Sequence, residues 1–156
     1  MRSVNEKLAV LTRIAETLNA ENVCWAVGAS VLLYFKGITD TFHDIDIMTA
    51  EEDADRVKAL LDRMGTQEPP HRSEQFRSAA FWEFVIDGVE VDVIAGFKIV
   101  KDGAVHDCPF SRGSVPERVD CGGQSVPLHS VEAWRRYYEL MDRPDKVKLI
   151  DAFYSR

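Results

Sequence analysis

The sequence is most informative at HDIDIM, residues 43–48. Its β-branched residues predict a short strand, and side chains along a strand alternate between the two faces of a sheet. Asp44 and Asp46 are therefore expected on one face, with Ile45 and Ile47 on the other. The stretch predicts a strand that is apolar towards the core and acidic on the opposite side.

A second stretch, VEVDVI at residues 89–94, repeats this pattern. Glu90 and Asp92 alternate with valines, so both acids are expected on the same face. Two such strands side by side would gather three or four carboxylates, which repel one another when nothing compensates their charge. A hard cation such as Mg²⁺ would remove that cost and would also tie the chain to phosphate chemistry.

Length and charge narrow the class of protein. At 156 residues the chain is expected to form one domain, residues 1–156, with a sizeable core. The net charge of -7 argues against a long nucleic acid as partner and favours a small substrate. The sequence has no run of eighteen apolar residues and no signal peptide, so we expect a cytoplasmic protein without a membrane partner.

The remaining patterns predict alternating helices and strands. Apolar spacing and caps predict a first helix that begins with a capping box at Ser3 and Glu6 and ends near Asn19. Buried strands are predicted at 24–28 and 44–48. Further helices are predicted at 31–35, at 130–141 and at 145–154, and another begins with a capping box at Thr49 and Glu52. Residues 66–78 are predicted to form a loop.

Three hairpins complete the prediction, with turns at Asp87-Gly88, Asp102-Gly103 and Gly122-Gly123. The expected fold class is α/β (α+β): a mixed β-sheet flanked by helices, on which the C-terminal helices at 130–154 pack.

A glycine turn, Gly28-Ala29-Ser30, leaves the first strand and opens a helix. Free backbone N–H groups at a helix start suit a phosphate, and the serine hydroxyl adds a donor. The alternative is a structural strand-to-helix turn with Ser30 as N-cap. The turn alone does not decide between them.

Taken in order, these features resemble the nucleotidyltransferase superfamily that includes DNA polymerase beta, above all its small bacterial members. Their pattern is a hydrophobic strand, a Gly-Gly or Gly-Ser turn, a helix, Asp-x-Asp, and a third acid on a neighbouring strand. Residues 27–30, 44–46 and 91–93 occupy those places. Residues 25–46 are also similar to the aminoglycoside and lincosamide nucleotidyltransferases, which carry a histidine beside the Asp-x-Asp run, here His43.

The resemblance implies an enzyme that moves a nucleoside monophosphate from an NTP, with ATP as the expected donor, to a hydroxyl of a small acceptor, releasing pyrophosphate. Asp44, Asp46 and Asp92 would be the catalytic residues and would hold one or two Mg²⁺ ions. Asp92 or Glu90 would accept the hydroxyl proton. The nucleotide would be bound by Gly28, Ala29, Ser30 and Lys146.

Two departures from the family keep other functions open. Ala29 stands where a glycine is usual, and the helix that often carries a lysine holds Arg135, Arg136 and Glu139. They favour a module of the same fold that binds a nucleotide or a partner but has lost turnover. A structural, antitoxin-like partner protein is a third possibility. The chain also lacks a sizeable second domain, and a homodimer would be one way to complete the acceptor site.

Overall fold

The computed structural model describes residues 2–70 and 73–156, so His71 and Arg72 of the predicted loop lie outside the described residues. The helices are α1 Val4–Ala20, α2 Ala29–Phe35, α3 Ala54–Asp62, α4 Val131–Leu140 and α5 Pro144–Tyr154. The strands are β1 Trp25–Gly28, β2 Ile45–Thr49, β3 Thr66–Gln67, β4 Ala80–Ile86, β5 Val89–Ala95, β6 Lys98–Lys101, β7 Ala104–Asp107, β8 Glu117–Cys121 and β9 Gln124–Leu128.

Seven of these strands form one mixed sheet in the order β3-β4-β5-β2-β1-β9-β8. The β2–β5 and β1–β9 pairs are parallel and the other neighbours are antiparallel. Strands β6 and β7 form a separate antiparallel hairpin. The predicted fold class, a mixed β-sheet flanked by helices, is confirmed.

The two acidic strands lie side by side in the centre of this sheet. Asp46 of β2 is opposite Asp92 of β5, and the next residues along, Ile47 and Val93, are also paired. Both apolar side chains are fully buried. The alternation inferred from the two stretches is therefore present: one face of β2 and β5 builds the core, and the other presents the acids.

Helices flank the sheet. α1 contacts β8, β9 and α3, while α4 contacts α2, α5 and β6. The capping box of α1 is present, because the Ser3 hydroxyl accepts from Glu6 N and the Glu6 carboxylate accepts from Ser3 N. Within the described ranges, no helix has the combination of length and apolarity that crossing a membrane requires.

The three predicted hairpins are present as β4–β5, β6–β7 and β8–β9. In the first, Asp87 and Gly88 both have positive φ, at 49° and 77°. Two successive left-handed residues form the turn whose twist matches that of the flanking strands, which explains why the Asp-Gly signal identifies the hairpin.

Two local predictions are wrong. Thr49 does not cap α3, because it ends β2 and its hydroxyl donates to the carbonyl of Cys24, while a 3₁₀ turn at Glu51–Asp53 precedes the helix. The segment 66–78 is not all loop either, since Thr66 and Gln67 pair with β4 at the sheet edge. Pairing to an existing strand supplies the order that a polar sequence does not predict.

Candidate active site

A row of polar positions crosses the sheet at the height of the paired aspartates. Gly28 of β1 lies opposite Asp46, Asp46 opposite Asp92, and Asp92 opposite Glu83 of β4. Residues in register on neighbouring strands have Cβ atoms about 5 Å apart. The fold thus places the first strand's glycine and three acids in one line across four strands.

Asp44 lies just before β2, next to this row. It contacts Nδ1 of His43, which is also 3.6 Å from the Glu90 carboxylate. One ligand atom from each of His43, Asp44 and Glu90 lies within 4.8 Å of the others. The charge of Asp44 also acts on both Asp46 and Asp92, so the acids form one electrostatically coupled cluster that extends to Glu90.

Burial and mutual repulsion dominate the electrostatics of the row. Desolvation, followed by the charges of Asp92 and Asp44, holds the pKa of Asp46 well above its usual range. Desolvation and then the charge of Asp44 raise the pKa of Asp92 to about 7. No cation is among these causes, but a side-chain hydrogen bond between the two carboxyls raises the pKa of Asp46 and lowers that of Asp92, so the pair relieves its repulsion by sharing a proton.

Gly28 has a packing role that the sequence did not indicate. Its φ of -132° is ordinary extended backbone, but a Cβ there would lie 2.5 Å from Cζ2 and Nε1 of Trp134 on α4. The indole is 2% exposed and its Nε1 has no hydrogen-bond partner among the described residues. Glycine at this position allows α4 to approach the end of β1, which forms one wall of the site.

Ala29 has a left-handed backbone, with φ at 52°. This conformation is strained for residues with a side chain and unstrained for glycine. The strain accounts for the glycine that is usual at this position in the nucleotidyltransferases that the sequence resembles. Ser30 is not an N-cap, because Gly28 occupies that position and Ser30 lies inside α2. Among the described residues the Ser30 hydroxyl has no hydrogen-bond partner, and it lines a cleft.

Replacing Ala29 by glycine is expected to stabilise the fold. The left-handed backbone destabilises an alanine by about 1–2 kcal/mol, and glycine removes this strain. Glycine also has more conformational freedom in the unfolded chain, which offsets part of the gain in stability. We expect the free energy of unfolding of Ala29→Gly to rise by about 0.5–1 kcal/mol in urea denaturation. The control is Ala152→Gly, at an exposed position of α5, which should lower it by up to about 1 kcal/mol. A loss of stability in both variants would contradict the strain at Ala29.

The cleft lies between the acidic face of the sheet, the loop before β2, and helices α4 and α5. Its volume is about 1040 Å³. Of the predicted site residues, its lining includes Ala29, Ser30, Asp46, Asp92 and Lys146. Gly28 lies beneath Trp134 at the same wall, and Asp44 lies beside the lining residue His43. The predicted residues thus converge on one region, while their roles stay predictions.

Lys7 also lines this cleft and was missed from the sequence. It is 8% exposed, its Nζ donates to the carbonyl of Phe42 at 2.7 Å, and it lies 5.6 Å from the centre of the Phe42 ring. No carboxylate among the described residues forms an ion pair with it. A signal existed, because Lys7 precedes Leu11 and Ile14 on the buried stripe of α1, where a charged residue needs an explanation.

Comparison with known proteins identifies the family of this chain. Residues 10–149 match the model of a family described as aminoglycoside-2''-adenylyltransferase. The chain belongs to the aminoglycoside-2''-adenylyltransferase family. The resemblance to nucleotidyltransferases is confirmed, and so is the prediction that the chain is an enzyme of this class. The comparison with curated proteins gives no sequence match.

Solved structures agree with the fold. A Thermotoga maritima protein provisionally assigned as a nucleotidyltransferase is 27% identical, with a TM-score of 0.74 over 96% of this chain and 93% of that one. ANT(2'')-Ia in complex with adenylyl-2''-tobramycin is 16% identical, with a TM-score of 0.62 over 92% and 87%. Lincomycin-bound LnuA, a lincosamide antibiotic adenylyltransferase, is 14% identical, with a TM-score of 0.63 over 96% and 98%. At these identities the last two show the fold alone.

Proposed function

We propose that this protein transfers a nucleoside monophosphate from an NTP, with ATP as donor, to a hydroxyl of a small-molecule acceptor, with pyrophosphate leaving. The observation that carries the proposal is the closely paired carboxyl groups of Asp46 and Asp92, which lie in a large cleft beside Ser30. Carboxylates rarely stay buried together unless a cation or a shared proton relieves them. In a nucleotidyltransferase family, a divalent cation that also binds the nucleotide is the expected way to neutralise the charge of these carboxylates.

The donor set fits Mg²⁺. Asp46 and Asp92 offer carboxylate oxygens at one point of the sheet, and Asp44 lies on the neighbouring side of the same face. These three residues would hold one or two ions. When bound, Mg²⁺ neutralises charge on the phosphates and orients them for displacement. His43 contacts Asp44 and would orient its carboxylate.

The residues of the chain supply the remaining chemistry. The acceptor oxygen forms a bond to the α-phosphorus of the NTP while the bond from that phosphorus to the bridging oxygen breaks and pyrophosphate leaves. The hydroxyl proton passes to a carboxylate of the site, that of Asp92 or of Glu90. Ser30 and Lys146 line the same cleft and would contact the nucleotide.

The proposal extends to the organisation of the chain. Residues 1–156 would act as one nucleotidyltransferase domain, with α4 and α5 forming one wall of the cleft. The acceptor would be a hydroxylated compound of the size of an antibiotic, given that the related structures hold adenylyl-2''-tobramycin and lincomycin. A homodimer would place a second copy at the open side of the cleft. The protein would act in the cytoplasm without a long nucleic acid as partner.

Thermal melting with each NTP, with and without Mg²⁺, tests this function. A ligand that binds the folded state stabilises it by mass action and so raises the Tm. At a ligand concentration of one hundred times the Kd, the free energy of unfolding rises by about 2.7 kcal/mol. We expect a Mg²⁺-dependent shift with ATP for the wild type and none for Asp44→Ala/Asp46→Ala. Asp120→Asn, an exposed acid on β8, is the control and should shift like the wild type.

Release of pyrophosphate then separates enzyme from binding module. A shift without release in the presence of acceptors would favour the module that has lost turnover. No shift with any NTP would exclude both readings and leave a partner-binding fold.

Lys7 is expected to contribute to binding of the triphosphate. Its buried ammonium has no carboxylate partner among the residues described, so an anionic ligand would satisfy it. We expect Lys7→Met to raise the Kd for ATP about 10-fold or more, since hydrogen bonds to charged groups contribute about 1.5–3 kcal/mol, while the Kd for adenosine stays within about 2-fold. Isothermal titration calorimetry measures both constants.

Two control variants test this role of Lys7. Lys7→Arg keeps the charge and should retain most of the affinity for ATP. Lys36→Met removes a lysine that pairs with Glu117 outside the cleft and should leave both constants unchanged. Equal losses for ATP and adenosine in Lys7→Met would instead assign Lys7 to holding the loop at Phe42.

A further inference from the structure

We propose that the acceptor of this enzyme is a hydroxylated molecule with an apolar face and at most one positive charge, rather than a polycationic aminoglycoside. The inference rests on the nucleotidyl transfer proposed above and specifies its acceptor. Three observations carry it: the charges of the cleft, the apolar residues of one wall, and the position of that wall next to Asp92.

The charges of the cleft do not suit a polycation. Among the described residues, its lining holds three carboxylates, and Asp46 and Asp92 are committed to the cation site. Of these three, only Asp40, in the exposed loop before β2, remains in the lining, while Glu83 lies in register with Asp92 on β4. The lining also carries four basic side chains: Lys7 and Lys146, which would contact the nucleotide, Arg143, which pairs with Asp145, and Arg156. Each ammonium group of a polycation needs a carboxylate when it leaves water, and like charges repel it.

One wall of the cleft is instead apolar. It is formed by Phe76, Phe81, Ile94, Phe97, Met141 and Leu149. Phe81 and Leu149 are 37% and 43% exposed, and they are two of the four large hydrophobic residues that the described surface exposes. Apolar side chains that converge at the mouth of a cleft mark a binding surface for an apolar group.

The sheet order places this wall on the acceptor side. The strand order is β4-β5-β2-β1, so the glycine turn after β1 lies on one side of Asp46 and Asp92, and β4 lies on the other. The nucleotide is expected at the glycine turn, which leaves the β4 side for the acceptor. Phe81 of β4 pairs with Ile94 of β5, two residues beyond the Glu83 and Asp92 pair and on the same face. Two residues of strand span about 7 Å. An acceptor hydroxyl at Asp92 therefore has the body of its molecule over Phe81 and Ile94.

The test compares lincomycin and tobramycin, the antibiotics found in the related structures. Their Kd values are measured by calorimetry on the full chain with Mg²⁺ and α,β-methylene-ATP, and nucleotidylated products are identified by mass spectrometry with ATP. Lincomycin presents an alkyl group and one amine, whereas tobramycin carries several amines. We expect a Kd for lincomycin at least about 10-fold below that for tobramycin, because burial of a side chain of this size contributes about 1.5–3 kcal/mol.

Variants of one residue separate the apolar wall from general effects. Phe81→Ser should weaken lincomycin about 10-fold and leave the Kd for α,β-methylene-ATP within about 2-fold. Phe81→Glu, which adds a carboxylate to the wall, should improve tobramycin relative to lincomycin. The control is Val105→Ser, a more exposed apolar position on β7 outside the cleft, which should change neither constant.

The outcomes distinguish this inference from the function on which it rests. Binding of α,β-methylene-ATP together with equal or tighter binding of tobramycin overturns the apolar acceptor. Binding of the nucleotide without any binding of lincomycin overturns it as well. Failure of the nucleotide to bind at all refutes the proposed function itself.

Discussion

Asp92→Asn is expected to abolish nucleotidyl transfer and at the same time to make the folded protein more stable. The variant loses a carboxylate that would hold Mg²⁺ and accept the acceptor proton, and removal of a general base lowers rates by about 10²–10⁴-fold. It also removes a charge that the fold holds at a cost, as the raised pKa of Asp92 indicates. Relief of about 2 kcal/mol would raise the Tm by roughly 4–8 °C for a chain of this size.

The gain in stability should depend on pH in a defined direction. The pKa of Asp92 is about 7 in the folded protein and about 4 in the unfolded chain. Between these values the folded state binds more protons, so the free energy of unfolding of the wild type falls as pH rises from about 4 to 7. The asparagine does not titrate. Loss of the Asp92 charge also lowers the pKa of Asp46, which adds to the advantage of the variant at neutral pH. The difference between variant and wild type should therefore grow as pH rises towards 7 and vanish below about pH 4 in urea denaturation.

Another buried group titrates in the same range with the opposite sign. Desolvation lowers the pKa of His129 to about 4, so protonation of this histidine destabilises the fold as pH falls below its unfolded value. His129 is present in both proteins, and its contribution cancels in the difference. Asp120→Asn, which changes an exposed acid, should follow the wild type at every pH. A Tm of Asp92→Asn at or below that of the wild type at pH 8 would contradict the electrostatic account of the site.

The acidic row could be predicted because it depends on local rules. Alternation along a strand places Asp44 and Asp46 on one face whatever the rest of the fold does. The pairing of Asp46 with Asp92 needed only the assumption that two similar strands lie side by side, and the register confirms it. What alternation does not specify is side-chain direction, and Asp44 turns towards His43 and Glu90.

Contacts between residues distant in the chain could not be predicted in this way. Lys7 reaches the cleft from α1, and its acceptor is a backbone carbonyl of Phe42, thirty-five residues later. No spacing rule connects the two. Ala29 illustrates a different limit: the sequence shows that a glycine is replaced, and only the backbone angle shows that the replacement stands in a left-handed conformation.

Gly28 is the residue for which the sequence-based and structural explanations differ most. From the sequence, Gly28 is expected to bind the phosphates of a nucleotide, and a glycine permits close approach of the backbone. The structure gives another reason, because a Cβ would lie 2.5 Å from the indole of Trp134. Trp134 is held in turn by Phe97 and Tyr137, whose ring centres lie 5.9 and 5.2 Å from its own. The cluster gives the indole little room to move away from a methyl group.

Gly28→Ala is therefore expected to destabilise the fold by about 2–3 kcal/mol, in the upper part of the usual range of about 1–3 kcal/mol for an overpacked core. A double-mutant cycle with Trp134→Leu, which removes the contacting ring atoms, separates the two explanations. If packing alone requires glycine, Gly28→Ala should cost under about 1 kcal/mol in the Trp134→Leu background, a coupling of about 1–2 kcal/mol in urea denaturation. Restored stability with an ATP affinity still reduced about 10-fold would show that the phosphate also needs the open backbone. No coupling between the two positions would refute the packing explanation.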